Sequence, residues 1–342
     1  MNLREHIPLA PLTTFRIGGP ARYVVSSRND DEVRECVQFA KTHELPLLVL
    51  GEGSNMLIAD EGFSGVVLCI ENDRVVTTQS EGKEIVIADA GLNWDALVAH
   101  TTREGLWGLE NLSSIPGTVG ASVVQNIGAY GVEISSIVTW VDVYDRESDT
   151  VRKLSAAECK FGYRDSIFKS REGKQLIVLR VAYALSKEGT PNMNYKDLIA
   201  YDGAVKKIVS LADMRTAVMF IREKKFPHLD VIGTAGSYFK NPVVKKEKAD
   251  EFLLTYPHAP SFPQLDGQVK LSAAWIIDHV LQVKGERVGD VGSWGAQALV
   301  LVNYGHATAY DVASYARVII EKCFTATGIQ LEPEVVYVGA VE

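Results

Sequence analysis

Residues 108–131 read GLENLSSIPGTVGASVVQNIGAYG, five glycines and one proline set among short apolar and small residues. Glycine serves where the backbone takes positive φ or must lie against a ligand with no Cβ in the way. The strand-like run Ile137–Val143 (IVTWVDV) follows shortly after. Together they suggest a backbone wall pressed on a flat, extended ligand, with Asn111, Gln125 and Asn126 as amide partners for a heteroaromatic ring. A turn-rich surface loop has a similar composition, so the surrounding chain decides between the two.

Upstream, the apolar strand Leu45–Leu50 runs into Gly51-Glu52-Gly53-Ser54-Asn55. A dinucleotide-binding Rossmann turn would need a third glycine and a following helix. Here Met56 takes the glycine's place, and Met56–Asp60 and Gly65–Ile70 read as strands. What remains is a strand, a tight loop and a strand, whose N–H groups form a nest suited to a pyrophosphate.

The rest of the pattern is α+β, mixed strands with few crossover helices. Asp30 or Asp31 is expected to cap a helix to Thr42, and Asn93 one over Trp94–Arg103 that stops at Gly105. Val138–Tyr144 and Val151–Leu154 form a hairpin, and Leu176–Leu185 a further strand. Residues 186–203 (SKEGTPNMNYKDLIAYDG) are polar and turn-rich, the composition of a lid loop. A helix over Leu211–Lys224 ends before Pro227, a domain boundary. Beyond it lie a helix around Asp250–Thr255, an amphipathic helix Ser272–Val283, a strand Ala298–Asn303 and a helix Tyr310–Thr327 closed by Gly328. Gln330–Val338 reads as a strand interrupted by Pro333.

At 342 residues the chain has room for two or three domains. Its net charge of −8 argues against a general nucleic-acid binder. The four cysteines and seven histidines are scattered, with no metal-ligand spacing and no disulfide framework. No stretch approaches the roughly 18 apolar residues of a membrane span, and the first residues lack a signal-peptide core. A soluble cytoplasmic protein is expected, with no nucleic-acid or membrane partner and no bound metal.

Gly51–Asn55, Ile115–Gly131, Lys160–Phe168 (KFGYRDSIF), Gly236-Ser237 with Phe239–Pro242, and Leu331–Val335 (LEPEV) occur in that order. From Thr13 to Gly339 the chain resembles the UDP-N-acetylenolpyruvoylglucosamine reductase family, longer-loop (type I) class. The resemblance implies a vanillyl-alcohol-oxidase-type (PCMH-like) FAD-binding region in two subdomains, 1–71 with 331–342 and 72–226. A separate α+β substrate-binding domain would occupy 227–330, and 186–203 would be the lid loop. It further implies FAD held non-covalently, since neither glycine-rich loop has a histidine or cysteine, and NADPH as co-substrate. The reaction would reduce UDP-N-acetyl-3-O-(1-carboxyvinyl)-glucosamine to UDP-N-acetylmuramate for peptidoglycan, cell-wall biogenesis and division. A monomer is expected.

Residue by residue, the resemblance puts Gly51, Gly53, Ser54 and Asn55 at the FAD pyrophosphate. Ile115, Gly117, Gly120, Ile127 and Gly128 would lie along the isoalloxazine and its linker. Arg164 would bind the enolpyruvyl carboxylate, Ser237 would donate the proton, and Glu334 would complete the site. Tyr195, Lys225, Asn241 and Gln297 match substrate-side residues, Tyr195 as the lid residue. By composition alone Arg164 beside Asp165 suggests an ion pair, Ser237 a turn residue and Glu334 a solvent-facing strand residue. Glu332 is the neighbouring alternative to Glu334. The chain departs from the family pattern at Ser293-Trp294-Gly295-Ala296, where more polar residues are expected, and this bears on the sugar-nucleotide contacts. Two rivals are an oxygen-using FAD alcohol oxidase of the same superfamily and a non-catalytic nucleotide-binding regulator.

Overall fold

The computed structural model describes residues 1–264 and 266–341. By contacts the chain forms two compact units. The first comprises Met1–Ile7, Ala21–Glu52 and Ser64–Glu223; the second Pro8–Pro20, Gly53–Phe63 and the chain from Lys224 onward. The break at 223/224 lies close to the boundary expected at Pro227, while residues 53–63 and 331–341 group with the C-terminal part.

The first unit carries a four-stranded sheet in the order Asn2–Pro8, Pro20–Ser27, Phe63–Ile70, Leu47–Leu50. Leu47–Leu50 pairs parallel to Phe63–Ile70, Leu50 opposite Cys69. Helix Asp30–Thr42 buries Val33, Cys36, Val37 and Ala40, spaced for one helical face, in a core with Val66 and Leu68. Its cap is Asn29, whose side chain accepts from Glu32 N at 2.9 Å, rather than Asp30 or Asp31, which lie inside the first turn. There their charge favours the positive end of the helix dipole.

An antiparallel five-stranded sheet follows, in the order Thr150–Ser155, Val138–Asp145, Leu176–Leu185, Lys83–Asp89, Val75–Ser80. Helix Trp94–Arg103 is capped by Asn93 as expected and buries Trp94, Leu97 and Val98 in the core of this sheet. Two helices were not expected. Residues 119–124 within the glycine-rich stretch form a short one capped by Thr118. Residues 196–204 are helical too, because Leu198 and Tyr201 are buried in a small core with Tyr130, Met214 and Val218.

The second unit has two three-stranded sheets. One is ordered Val243–Lys245, Gln268–Leu271, Ser261–Pro263, the other Arg287–Val288, Val291–Trp294, Gln297–Asn303. Val336–Val338 pairs parallel with Met56–Ile58, so the expected strand from Gln330 is confined to its last three residues. The helix expected over Ser272–Val283 is α only over Ala273–Trp275 and then widens to a π-turn over Ile276–Val280. Helix Ala309–Thr327 opens on a reciprocal capping box between Thr308 and Asp311 and closes at Gly328, φ +66°.

Thr308→Ala removes one half of that box. The expected cost is about 1 kcal/mol, a fall of roughly 2–4 °C in the melting temperature measured by calorimetry. An unshifted melting temperature would show that the box does not hold this helix.

Candidate active site

In the first unit the loop at Gly51-Glu52 is fastened to the glycine-rich stretch by a carboxylate. Glu52 accepts from Gly117 N at 2.8 Å and from Asn93 Nδ2 at 2.6 Å. Asn93 is used twice, since its Oδ1 also accepts from Ala96 N at 2.9 Å and caps the helix. Gly51 lies so close that a Cβ there would meet Thr118 Oγ1 at 2.8 Å. Gly120 is tight as well: its Cβ would meet Ala90 Cβ at 2.9 Å. Protein neighbours therefore already demand glycine at both positions. Ile127 is buried in the core of this unit and Ile115 packs against it.

The expectation that Asn111 and Asn126 serve a ligand ring is corrected by their bonds. Asn126 Nδ2 donates to Glu133 Oε2 (3.0 Å) and Gly162 O (2.9 Å), and its Oδ1 accepts from Ser135 N (3.0 Å). Asn111 Nδ2 donates to Tyr130 O (2.9 Å) and Asn192 O (3.0 Å). Both amides staple loops together.

Arg164 sits at a two-residue reversal, closed by Gly162 N to Asp165 O at 2.9 Å and Asp165 N to Gly162 O at 3.2 Å. Its φ of +53° is unusual for a side chain this bulky. Lys169 Nζ donates to its carbonyl at 2.8 Å, and its own Nη2 donates to Gly128 O at 2.9 Å. Arg164 and Gly128, assigned separately from the sequence, are thus joined directly. Ser114 (φ +60°), Asn126 (+47°) and Tyr130 (+49°) are in the same left-handed region. Such conformations persist only where the surroundings over-determine them, and they gather at ligand sites.

The second unit brings Ser237 and Glu334 together. Glu334 N donates to Tyr238 O at 2.7 Å, one residue from Ser237. Phe239 bridges Pro333, and Lys240 N donates to Glu332 O at 3.0 Å, so 238–240 and 332–334 run as a short antiparallel pair. Asn55 joins them: its Nδ2 donates to Glu334 O at 3.2 Å and its carbonyl accepts from Val336 N at 3.0 Å. Ser237 and Glu334 are half-buried. Glu332 is 72% exposed and faces Lys240 at 3.6 Å, a weak surface pair. Geometry therefore separates the two glutamates.

Gly53 belongs to this unit, with φ +59° and so close to the backbone of Leu12 that a Cβ would meet its carbonyl oxygen at 2.5 Å. Ser54 beside it is half-buried. Asn241 accepts from Ala273 N at 3.0 Å and so holds the start of the helical segment at 273. Gln297 pairs with Trp294 across the hairpin whose tip is Gly295-Ala296. Lys225 ends helix Leu211–Lys225, half-buried. In the first unit, Tyr195 precedes helix Lys196–Ala204 and meets the ring of Tyr130 edge-on at 5.2 Å.

Two family models match the chain, an FAD-binding domain over residues 21–155 and the C-terminal domain of UDP-N-acetylenolpyruvoylglucosamine reductase over 227–338. A UDP-N-acetylenolpyruvoylglucosamine reductase from Yersinia pestis is 40% identical over 331 residues, 97% of this chain and 94% of the relative. One from Pseudomonas syringae is 39% identical over 98% of both. The chain belongs to the UDP-N-acetylenolpyruvoylglucosamine reductase family. A solved structure of the family, from Thermus caldophilus, is 25% identical and covers 99% of this chain with a TM-score of 0.67.

Membership makes the protein an α+β oxidoreductase with FAD as its cofactor and a C-terminal domain of the family's own type. The residues fit the group. In the loop 51–55 the one acid is Glu52, and its carboxylate is engaged by Gly117 N and Asn93, so it is not left to repel an anionic group. Among the described residues no cluster of histidine, cysteine or acid residues suits a metal ion, and no helix is long and apolar enough to cross a membrane.

Sequence reasoning passed over Glu52 and Asn93 as ligand-loop anchors, although an acid inside a glycine-rich phosphate loop is itself a signal. Glu52→Gln keeps the shape but sets an amide N–H2 or a weaker, neutral acceptor against Gly117 N. Losing that charge-assisted bond should weaken FAD binding about tenfold, read by fluorescence titration of the apoprotein. Unchanged affinity would mean that the carboxylate does not shape the cofactor loops.

Proposed function

We propose that the protein reduces UDP-N-acetyl-3-O-(1-carboxyvinyl)-glucosamine to UDP-N-acetylmuramate with NADPH, in cytoplasmic peptidoglycan precursor synthesis. The observation that carries this reading is the Glu334 N–Tyr238 O bond, which sets Ser237 beside Glu334 within the domain matched by the family's C-terminal model. FAD, bound non-covalently, supplies the hydride chemistry, taking two electrons from NADPH and passing them to the terminal vinyl carbon.

The chain's own part is position, field and one proton. Hydride arrival at the terminal carbon places negative charge on the neighbouring carbon and its carboxylate. Arg164 is the group to hold that carboxylate, since a guanidinium keeps its charge and its fork matches two oxygens. Its side chain is already aimed by the bond to Gly128 O and its backbone is locked in the reversal at 162–165. Fixed charge of this kind acts without reorganising as the reaction proceeds. Glu334 polarises the carboxylate or holds a proton against it. Ser237 gives its hydroxyl proton to the α-carbon from one face, which fixes the stereochemistry of the lactyl ether. Lys225, Asn241 and Gln297 hold the sugar nucleotide, Tyr195 covers it, and Gly51, Gly53, Ser54 and Asn55 receive the FAD pyrophosphate. Ile115, Gly117, Gly120, Ile127 and Gly128 line the flavin ring and linker.

Incubation with NADPH and the enolpyruvyl nucleotide should give a product two mass units heavier, one for each NADPH consumed; consumption without that product would overturn the substrate. Ser237→Ala should lower product formation by about 10²- to 10⁴-fold while NADPH reduces the flavin at close to the normal rate. Equal loss in both half-reactions would make Ser237 a structural residue. Arg164→Lys should impair reduction of the nucleotide far more than flavin content, and normal turnover in that variant would remove Arg164 from the site.

A further inference from the structure

The segment that carries Tyr195 is held along its length. At its start, Trp107 N donates to Ser186 O at 2.8 Å and Ser186 N returns a bond to Trp107 O at 3.2 Å. A Cβ at Gly189 would meet the Trp107 ring at 2.5 Å, so the chain lies directly on the indole. At its end, Leu198 and Tyr201 are buried. Between these anchors the Asn111 side chain reaches its backbone. Asn111, 0% exposed, donates both amide hydrogens, one to Asn192 O at 3.0 Å and one to Tyr130 O at 2.9 Å.

Those two carbonyls flank the aromatic pair. Tyr130 follows the glycine-rich turn with φ +49°, and its ring receives Tyr195 edge-on at 5.2 Å. From Asn192 the chain turns tightly to Tyr195, Asn194 N bonding Asn192 Oδ1 at 3.1 Å and Tyr195 N bonding Met193 O at 2.7 Å. The orientation of the Asn111 amide is forced, since turning it over would face its oxygen toward two carbonyl oxygens. Its own oxygen is buried with no hydrogen-bond partner among the described residues. A buried polar atom is seldom left in that state, and here both hydrogens of the same amide are engaged by the chain.

We infer that Asn111 is the positioning residue that sets Tyr195 over the nucleotide, by holding the backbone on both sides of the Tyr130–Tyr195 pair with one amide. This rests on the reading of Tyr195 as the residue that covers the substrate. Leucine at 111 would match the volume and abandon both carbonyls. Serine would supply one hydrogen for two acceptors, and serves as the milder variant should the leucine protein fold poorly.

The test uses the full-length holoenzyme with Asn111→Leu, Asn111→Ser, Tyr195→Ala and the double variant N111L/Y195A. Leaving two buried acceptors unpaired should raise KM for the enolpyruvyl nucleotide about tenfold in N111L, with a smaller change in kcat. Flavin reduction by NADPH should stay within about twofold, and amide hydrogen exchange over 190–196 should quicken as local opening becomes easier. The double variant should be no worse than Y195A alone, because both changes act through one contact. An unchanged KM in N111L and N111S beside a raised KM in Y195A overturns the inference, as does unchanged exchange over 190–196. A normal KM in Y195A also overturns it, and faster exchange in N111L would then show that the failure lies in the role given to Tyr195 rather than in the anchor.

Discussion

The carboxylate of Glu52 is the tie on which the glycine-rich loops of the first unit depend. It joins the turn after strand Leu47–Leu50 to the backbone of Gly117 and, through Asn93, to the start of helix Trp94–Arg103. A neutral acceptor would hold these donors less firmly, because a hydrogen bond to an ionised oxygen is shorter and stronger. The negative oxygens of this acid are thereby occupied by protein donors. Gly51 completes the join, since any side chain there would collide with Thr118.

Around this tie the backbone is held in conformations that few side chains choose. Ser114, Asn126, Tyr130 and Arg164 all have positive φ, and in each case a specific bond explains how the shape survives. Arg222 Nε donates to Ser114 O at 3.0 Å, and Ser114 N donates to Asp95 at 2.5 Å. Asn126 is bonded on both ends of its amide, Tyr130 through its carbonyl, and Arg164 by the reversal it sits in. Asp95 itself is clamped by Arg215 in a two-pronged pair at 2.6 and 2.8 Å. Conserving such shapes costs stability, and the dense network of side-chain-to-backbone bonds offsets that cost.

Elements with strong local signals were legible in the sequence. Helix Trp94–Arg103 with its asparagine cap, the hairpin over 138–155 and helix Ala309–Thr327 with its closing glycine all lie where pattern and capping chemistry place them. Strands Asn2–Pro8 and Val75–Ser80 were missed because they are edge strands, largely exposed and without apolar alternation. Helix Lys196–Ala204 was masked by its polar surface, since only Leu198 and Tyr201 are buried. For Ser237, Glu334 and Arg164, residue type alone suggested a turn residue, a solvent-facing residue and an ion pair, and only the family resemblance singled them out. The bonds that place them came from backbone groups, such as Glu334 N on Tyr238 O, which no side-chain pattern announces. Asn111 was noticed for the right chemistry and given the wrong partner: its amide serves two carbonyls of the chain.

The central claim is that one flavin carries electrons from NADPH to an enolpyruvyl nucleotide. The visible spectrum of the anaerobic holoenzyme tests it most directly, recorded as NADPH and then the nucleotide are added. The flavin band should bleach with the first addition and return in full with the second, without oxygen. A band that bleaches and returns only when oxygen is admitted would contradict the assigned substrate while leaving the fold in place.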